Sequence, residues 1–312
     1  MASRRDRFRG VLLGTALGDA LGMPVEGWPR EAILRTHGVV RDMLPARLGA
    51  GTYTDDTQMA MALAEALIET PGRLDPDVAA ERFGARYEPR RGYGGNTRRI
   101  LRRIAAGEAW RDVVEEERLP GGSWANGAAM RVAPVALAFR DPDAVMAAAA
   151  AQAEVTGHTH PIGLAGARLQ ALAVWSALET EPGALRPPTF VDALLDTPWP
   201  DEVRSALLWV RAHAGSDPGA AVDRLGVGAR AGASVPAALW AFLSAGGAAE
   251  DVVVQAVGLG GDTDTIGAMA GALAGAYEGV EAFPDRWTEA LEDEDAGLGY
   301  LLELADRLYE LS

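Results

Sequence analysis

Apolar residues recur at helical rather than strand spacing along almost the whole chain. Residues 8–21 repeat apolar side chains at intervals of three and four. Residues 58–68 do so again, with Met59, Leu63, Ala66 and Leu67 along one face. The same periodicity predicts helices over 77–87, 97–106, 126–139, 143–155, 162–178, 201–212, 236–243, 248–257, 266–277 and 298–311. Two starts carry capping signals: Asp75 and Asp77 flank Pro76, and Ser234 precedes Val235-Pro236. Loops are expected at Pro71-Gly72, over 119–123 and across the proline-rich 182–200, which reads as a surface connection. No stretch alternates as a strand, so the expected class is all-α.

Glycine adds a second period. Gly10, Gly14, Gly18 and Gly22 fall every fourth residue, as do Gly267, Gly271, Gly275 and Gly279. Each set lies along one helical face, where the missing side chain lets another backbone approach. Each interior glycine costs about 0.5–1 kcal/mol relative to alanine. A cost repeated in this way predicts two tightly packed central helices.

Composition narrows the class. Hydrophobic residues make up 48% of the 312 and aromatics only 6%, enough for a large core and biased toward helix. A formal charge of −15 argues against non-specific binding to nucleic acid or to anionic membranes. With no cysteine, disulfides, thiol catalysis and Cys-type zinc sites are excluded. The basic N-terminus is followed by apolar residues broken by Gly14, Gly18 and Asp19, which is no signal-peptide core, and no window is long enough to span a membrane. A cytoplasmic monomer is the expectation.

The chemistry concentrates in two clusters, Thr54-Asp55-Asp56-Thr57 and Asp262-Thr263-Asp264-Thr265, each just before a run rich in Ala, Leu and Met. A helix cap would explain one Asp-Thr pair. Two clusters with two carboxylates each, opening buried helices, need positive charge if they meet. Asp and Thr oxygens are the hard ligands Mg²⁺ or Mn²⁺ prefers. The two clusters lie near opposite ends of the chain, so a single domain over 1–312 is expected to bring them together. The four histidines, His37, His158, His160 and His213, form no helical zinc pair.

Weaker signals surround them. The glycine-rich turns over 92–97 and 121–127 lead into helices, and their N–H groups, with Asn96, Ser123 and Asn126, could hold phosphate. Neither turn matches a Walker or dinucleotide fingerprint. His158-Thr159-His160-Pro161 is a polar turn before a helix, and Glu26 follows the first glycine-rich helix. Residues 292–295, Glu-Asp-Glu-Asp, read as a solvent-facing acidic turn. Trp110, Trp175, Trp209, Trp240 and Trp287 read as packing residues.

In order, these segments resemble the ADP-ribosylglycohydrolase family. The matching stretches are Arg7-Phe8-Arg9-Gly10 with Gly14 and Gly18-Asp19, then Tyr53-Thr54-Asp55-Asp56-Thr57 and Arg91-Gly92-Tyr93-Gly94. They continue through 123–134, His158-Thr159-His160-Pro161, Ser234-Val235-Pro236 and 260–265. The resemblance covers about residues 5 to 290. It departs at Gly157, where the family usually has Thr, and at Ala233, where some members have Glu.

The resemblance implies a compact orthogonal multi-helix bundle holding two divalent cations, Mg²⁺ or Mn²⁺. It implies metal ligands at Thr54, Asp55, Asp56, Asp262, Asp264 and Thr265. Substrate contacts fall on Gly94, Asn96, Ser123, Trp124, Asn126, Gly127 and His158, and the catalytic acids are sought among Glu26, Asp55 and Asp262. The implied reaction is hydrolysis at C1″ of an ADP-ribosyl group, with an ADP-ribosylated protein as partner. A free ADP-ribose derivative such as O-acetyl-ADP-ribose, or binding without catalysis, stands as the alternative.

Overall fold

The Arg4–Gly22 and Thr263–Glu278 helices pack together in an antiparallel pair whose register is set by glycine. A Cβ on Gly18 would lie 2.0 Å from the Gly267 carbonyl oxygen, and one on Gly14 would lie 2.2 Å from that of Gly271. Gly10 meets Gly275 and Gly22 meets Thr263 in the same way. Both helices are buried over most of their length. The repeated helix cost of glycine is therefore offset by close backbone contact. This seam brings the C-terminal end of the first helix, Asp19 to Gly22, against the N-terminal end of the other, Asp262 to Thr265.

The computed structural model describes residues 2–293 and 296–312. Among the described residues there are eighteen α-helices, three short 3-10 turns and no β-strand beyond two isolated bridges. The all-α class is thus observed. One continuous apolar cluster runs from Phe8 to Leu308. No described helix is long and apolar enough to cross a membrane.

Local rules explain many starts. Ser3 and Asp6 form a reciprocal capping box. Asp75, Asp141 and Asp217 each accept from a first-turn N–H, and each is followed by proline. His160 caps the Pro161–Glu179 helix in the same manner.

Several expectations need correction. The 182–200 segment is not all connection, since it contains the Pro187–Leu195 helix, whose prolines open it. Helices Arg30–His37, Trp110–Glu117, Pro218–Leu225 and Asp285–Ala290 lie outside the predicted set. The 126–139 helix is two pieces, Gly127–Met130 and Ala133–Ala138, with Pro134 early in the second. Ser234 is no cap. It sits inside the Ala231–Ser244 helix, accepts from Asn126 Nδ2 at 3.1 Å, and leaves Pro236 as an interior proline.

The acidic turn also differs. Glu292 accepts from Arg91 and from the Tyr53 N–H, so it is a tethered counter-ion rather than a solvated charge. Of the other three residues read as that turn, Asp293 is exposed, whereas Glu294 and Asp295 lie outside the described residues. Trp240 and Trp287 are fully buried, and Trp110, Trp175 and Trp209 pack partly buried against the core.

Candidate metal centre and active site

Thr54 and Asp262 hold the N-cap positions of their helices, yet neither side chain caps. The Thr54 hydroxyl donates to Asp56 Oδ2 at 3.1 Å, and Asp262 Oδ2 accepts from Asn126 Nδ2 at 2.6 Å. Capping therefore does not explain these residues. Asp55 and Asp56 occupy the first turn of the Asp55–Glu69 helix, and Asp264 with Thr265 the first turn of Thr263–Glu278.

The glycine seam makes the two clusters meet. Carboxylate oxygens of Asp19, Asp56 and Asp264 lie within 4.8 Å of one another, and so do those of Glu26, Asp262 and Asp264. Asp264 belongs to both groups. Glu26 is held there by its loop: Gly27 N–H donates to the Gly261 carbonyl at 2.7 Å, and Gly261 N–H to that of Trp28 at 2.8 Å. Gly261 has φ +75°, and a Cβ there would lie 2.1 Å from the Val227 carbonyl oxygen, so only glycine fits the approach to Asp262.

Asp19, which interrupts the apolar run of the first helix, belongs in the site. Fully buried, it accepts from Thr54 N–H at 3.0 Å, from Thr57 N–H at 3.1 Å and from the Thr57 hydroxyl at 2.6 Å. It ties the first helix to the opening turn of the Asp55–Glu69 helix. Its one sequence signal was a lone acid inside an apolar, glycine-rich helix.

All six acids hold their protons more tightly than usual. Burial is the largest cause at each, and most are pushed further by neighbouring carboxylates. Asp55 is pushed up to about 8 by burial and then by Asp19. Glu26, at the cavity mouth, is raised by burial and by Asp262, with Arg47 opposing. Such a cluster is stable in ionised form only beside cations.

The residues present fit that requirement. Asp56 Oδ1 is buried and has no hydrogen-bond partner. An orphaned carboxylate oxygen is costly unless something electropositive meets it. The donor set is all oxygen, which suits hard divalent ions and gives no soft ligand for copper or zinc.

Glu26, Asp55, Asp56, Asp262, Asp264 and Thr265 line one cavity of about 190 Å³, together with Gly94, Asn126, Gly127 and His158. Thr54, which donates to Asp56, is outside the cavity lining. Asn96, Ser123 and Trp124 are not in its lining. Asn96 Oδ1 accepts from Arg99 while its buried Nδ2 has no partner, and Ser123 Oγ accepts from the Ala125 N–H. Trp124 is 45% exposed, with the Arg230 guanidinium 5.4 Å from its ring centroid. A larger cavity of about 570 Å³, walled by Met146, Leu164 and Trp199, lacks the acid cluster, so charge rather than size identifies the site.

Comparisons with known proteins show the family. The family model described as ADP-ribosylglycohydrolase matches residues 1–312. An uncharacterized protein of Archaeoglobus fulgidus is 36% identical, over 98% of this chain and 97% of its own. ADP-ribosylhydrolase ARH3 of Bos taurus is 34% identical, over 92% of this chain and 88% of its own. A solved structure described as an ADP-ribosylglycohydrolase-related protein complex superposes with TM-score 0.77 at 34% identity, covering 99% of both chains. The chain belongs to the ADP-ribosylglycohydrolase family.

Proposed function

We propose that the protein is a metal-dependent hydrolase that cleaves the C1″ bond of ADP-ribosyl groups on a modified protein and releases ADP-ribose. The observation that carries this reading is the meeting of the two acidic clusters around the orphaned Asp56 oxygen. Family membership and the name of the cattle relative support it.

Thr54, Asp55, Asp56, Asp262, Asp264 and Thr265 would hold two divalent cations, Mg²⁺ or Mn²⁺. When bound, these would supply positive charge to orient the ribose hydroxyls and to lower the pKa of the attacking water. Hydrolysis places the hydroxyl of water on C1″ and a proton on the departing acceptor atom. Glu26 is nominated to take the proton from the attacking water, because it keeps more solvent contact than the other acids of the cluster. Asp55 and Asp262 then serve mainly as ligands.

A cavity of about 190 Å³ is smaller than the ~300–1,000 Å³ that encloses a drug-sized molecule. The distal ribose therefore enters it, and the rest of ADP-ribose lies along the rim. Gly94, Asn126 and Gly127 in the cavity wall, with Asn96 and Ser123 beside them in sequence, would offer polar groups to the riboses and pyrophosphate, and the exposed Trp124 a face for the adenine.

The test is incubation with Arg-linked, Ser-linked and nucleic-acid-linked ADP-ribose, each with Mg²⁺, with Mn²⁺ and with neither. Metal-dependent release of ADP-ribose from a protein linkage is expected. Release from none of them, with either ion, would overturn the reading.

A further inference from the structure

Arg131 is completely buried, with its guanidinium facing the ring of Phe83 at 4.6 Å. Its Nε donates to Gln152 Oε1 at 2.6 Å, and its Nη2 donates to the Gln152 carbonyl at 2.9 Å and to Thr156 Oγ1 at 2.8 Å. The Gln152 amide cannot turn over freely, because its Nε2 donates to the carbonyls of Ala128 and Ala149. Thr156, also completely buried, has Oγ1 2.9 Å from Nδ1 of His158. None of these three residues touches the acid cluster directly.

The order of donors fixes the protons. Arginine has only donors, so Thr156 Oγ1 accepts from it. The threonine proton then needs an acceptor of its own, since Thr156 is completely buried. His158 Nδ1 is the side-chain acceptor within reach; taking that proton leaves Nδ1 bare and puts the neutral ring's own proton on Nε2, whereas the Thr156 carbonyl is the competing partner for an Nδ1–H. Nε2 makes no hydrogen bond among the described residues. It faces Gly127, where a Cβ would lie 2.9 Å away, and both residues line the acidic cavity.

We propose that Arg131 and Thr156 are positioning residues that lock His158 as the neutral Nε2–H tautomer, a fixed hydrogen-bond donor aimed into the cavity. His158 is then not a proton shuttle. It donates to an acceptor oxygen of the ligand, a phosphate or ribose oxygen, and this last step rests on the ADP-ribose reading above. Burial and the Arg131 charge push His158 down to about 3, with the Thr156 backbone opposing, so the ring stays neutral. Arg131 is itself lowered by burial, to about 9, and stays charged near neutrality.

The experiment is nitrogen-15 NMR of the histidine rings in the full-length protein, with the His158 signals assigned by their loss in His158→Asn. Wild type should show Nδ1 unprotonated and Nε2 protonated. Thr156→Val, which keeps the shape and removes the hydroxyl, should lose that pattern and weaken ADP-ribose binding by roughly five- to tenfold, the size of one neutral hydrogen bond. Thr156→Ser should restore both. Wild type protonated at Nδ1, or Thr156→Val with the wild-type pattern, overturns the proposal. The wild-type spectrum decides even if the valine variant does not fold. Failure of wild type to bind ADP-ribose at all would contradict the ligand reading while the tautomer measurement still stands on its own.

Discussion

Gly18→Ala tests whether the glycine seam holds the site together. Its new Cβ would sit 2.0 Å from the Gly267 carbonyl oxygen, where ordinary contact begins at 3.4 Å. The helices must therefore separate by roughly 1.4 Å, because both sides of the clash are backbone and no rotamer relieves it. Overpacking of this kind costs about 1–3 kcal/mol. The better helix propensity of alanine returns about 0.5–1 kcal/mol. A net loss of about 1–2 kcal/mol lowers Tm by roughly 1.5–3 °C in a chain of 312 residues. The neighbour Asp19 moves with the seam, and its bonds to Thr54 and Thr57 hold the first acidic cluster, so the stabilisation by added Mn²⁺ should shrink as well. The assay is thermal unfolding with chelator and with Mn²⁺, beside Gly95→Ala, where a Cβ meets nothing within 4 Å and Tm should hold or rise. A Gly18→Ala protein as stable as wild type, with full Mn²⁺ stabilisation, would refute the reasoning.

Asp264→Asn and Asp56→Asn should each abolish turnover while circular dichroism stays helical, and the metal-free variants should melt higher because carboxylate repulsion is relieved. Near-normal turnover at low metal would remove the ligand assignment. Glu26→Gln should lower kcat far more than it weakens ADP-ribose binding by calorimetry; normal kcat with lost affinity would make it a binding residue instead. Metal-free stability should depend on pH through Asp55, whose proton is held tighter in the folded state, up to about 8. Its stabilising effect is therefore present below about pH 4 and lost as pH rises through 8, by at most about 6 kcal/mol, and denaturant titration that found no such fall would contradict it.

The buried helices were legible in the sequence because their apolar and small residues repeat on a helical face, and the seam was legible because glycine kept a period of four on both partners. The missed helices are short and mostly exposed. Arg30–His37 buries only Ile33 and Trp110–Glu117 only Val113, which leaves no period to read. Pro187-Pro188 looked like a loop because proline both breaks a helix and begins one, and the sequence does not say which. Ser234 looked like a cap, yet its hydroxyl is turned to Asn126, a partner more than a hundred residues away. The acidic clusters announced themselves by density. Asp19 did not, because a single acid in a helix gives no cluster to read, and its partners Thr54 and Thr57 lie more than thirty residues away. The Arg131, Thr156 and His158 chain was invisible because its meaning lies in the direction of its hydrogen bonds.

The most direct test of a site built by both clusters is the initial rate of ADP-ribose release by chelator-treated protein, followed as Mn²⁺ is added in known equivalents. The rate should be negligible at the start, rise with added ion, level off near two per chain, and stay negligible throughout for Asp264→Asn. Full turnover before any ion is added, or an Asp264→Asn protein that responds like wild type, would contradict the account.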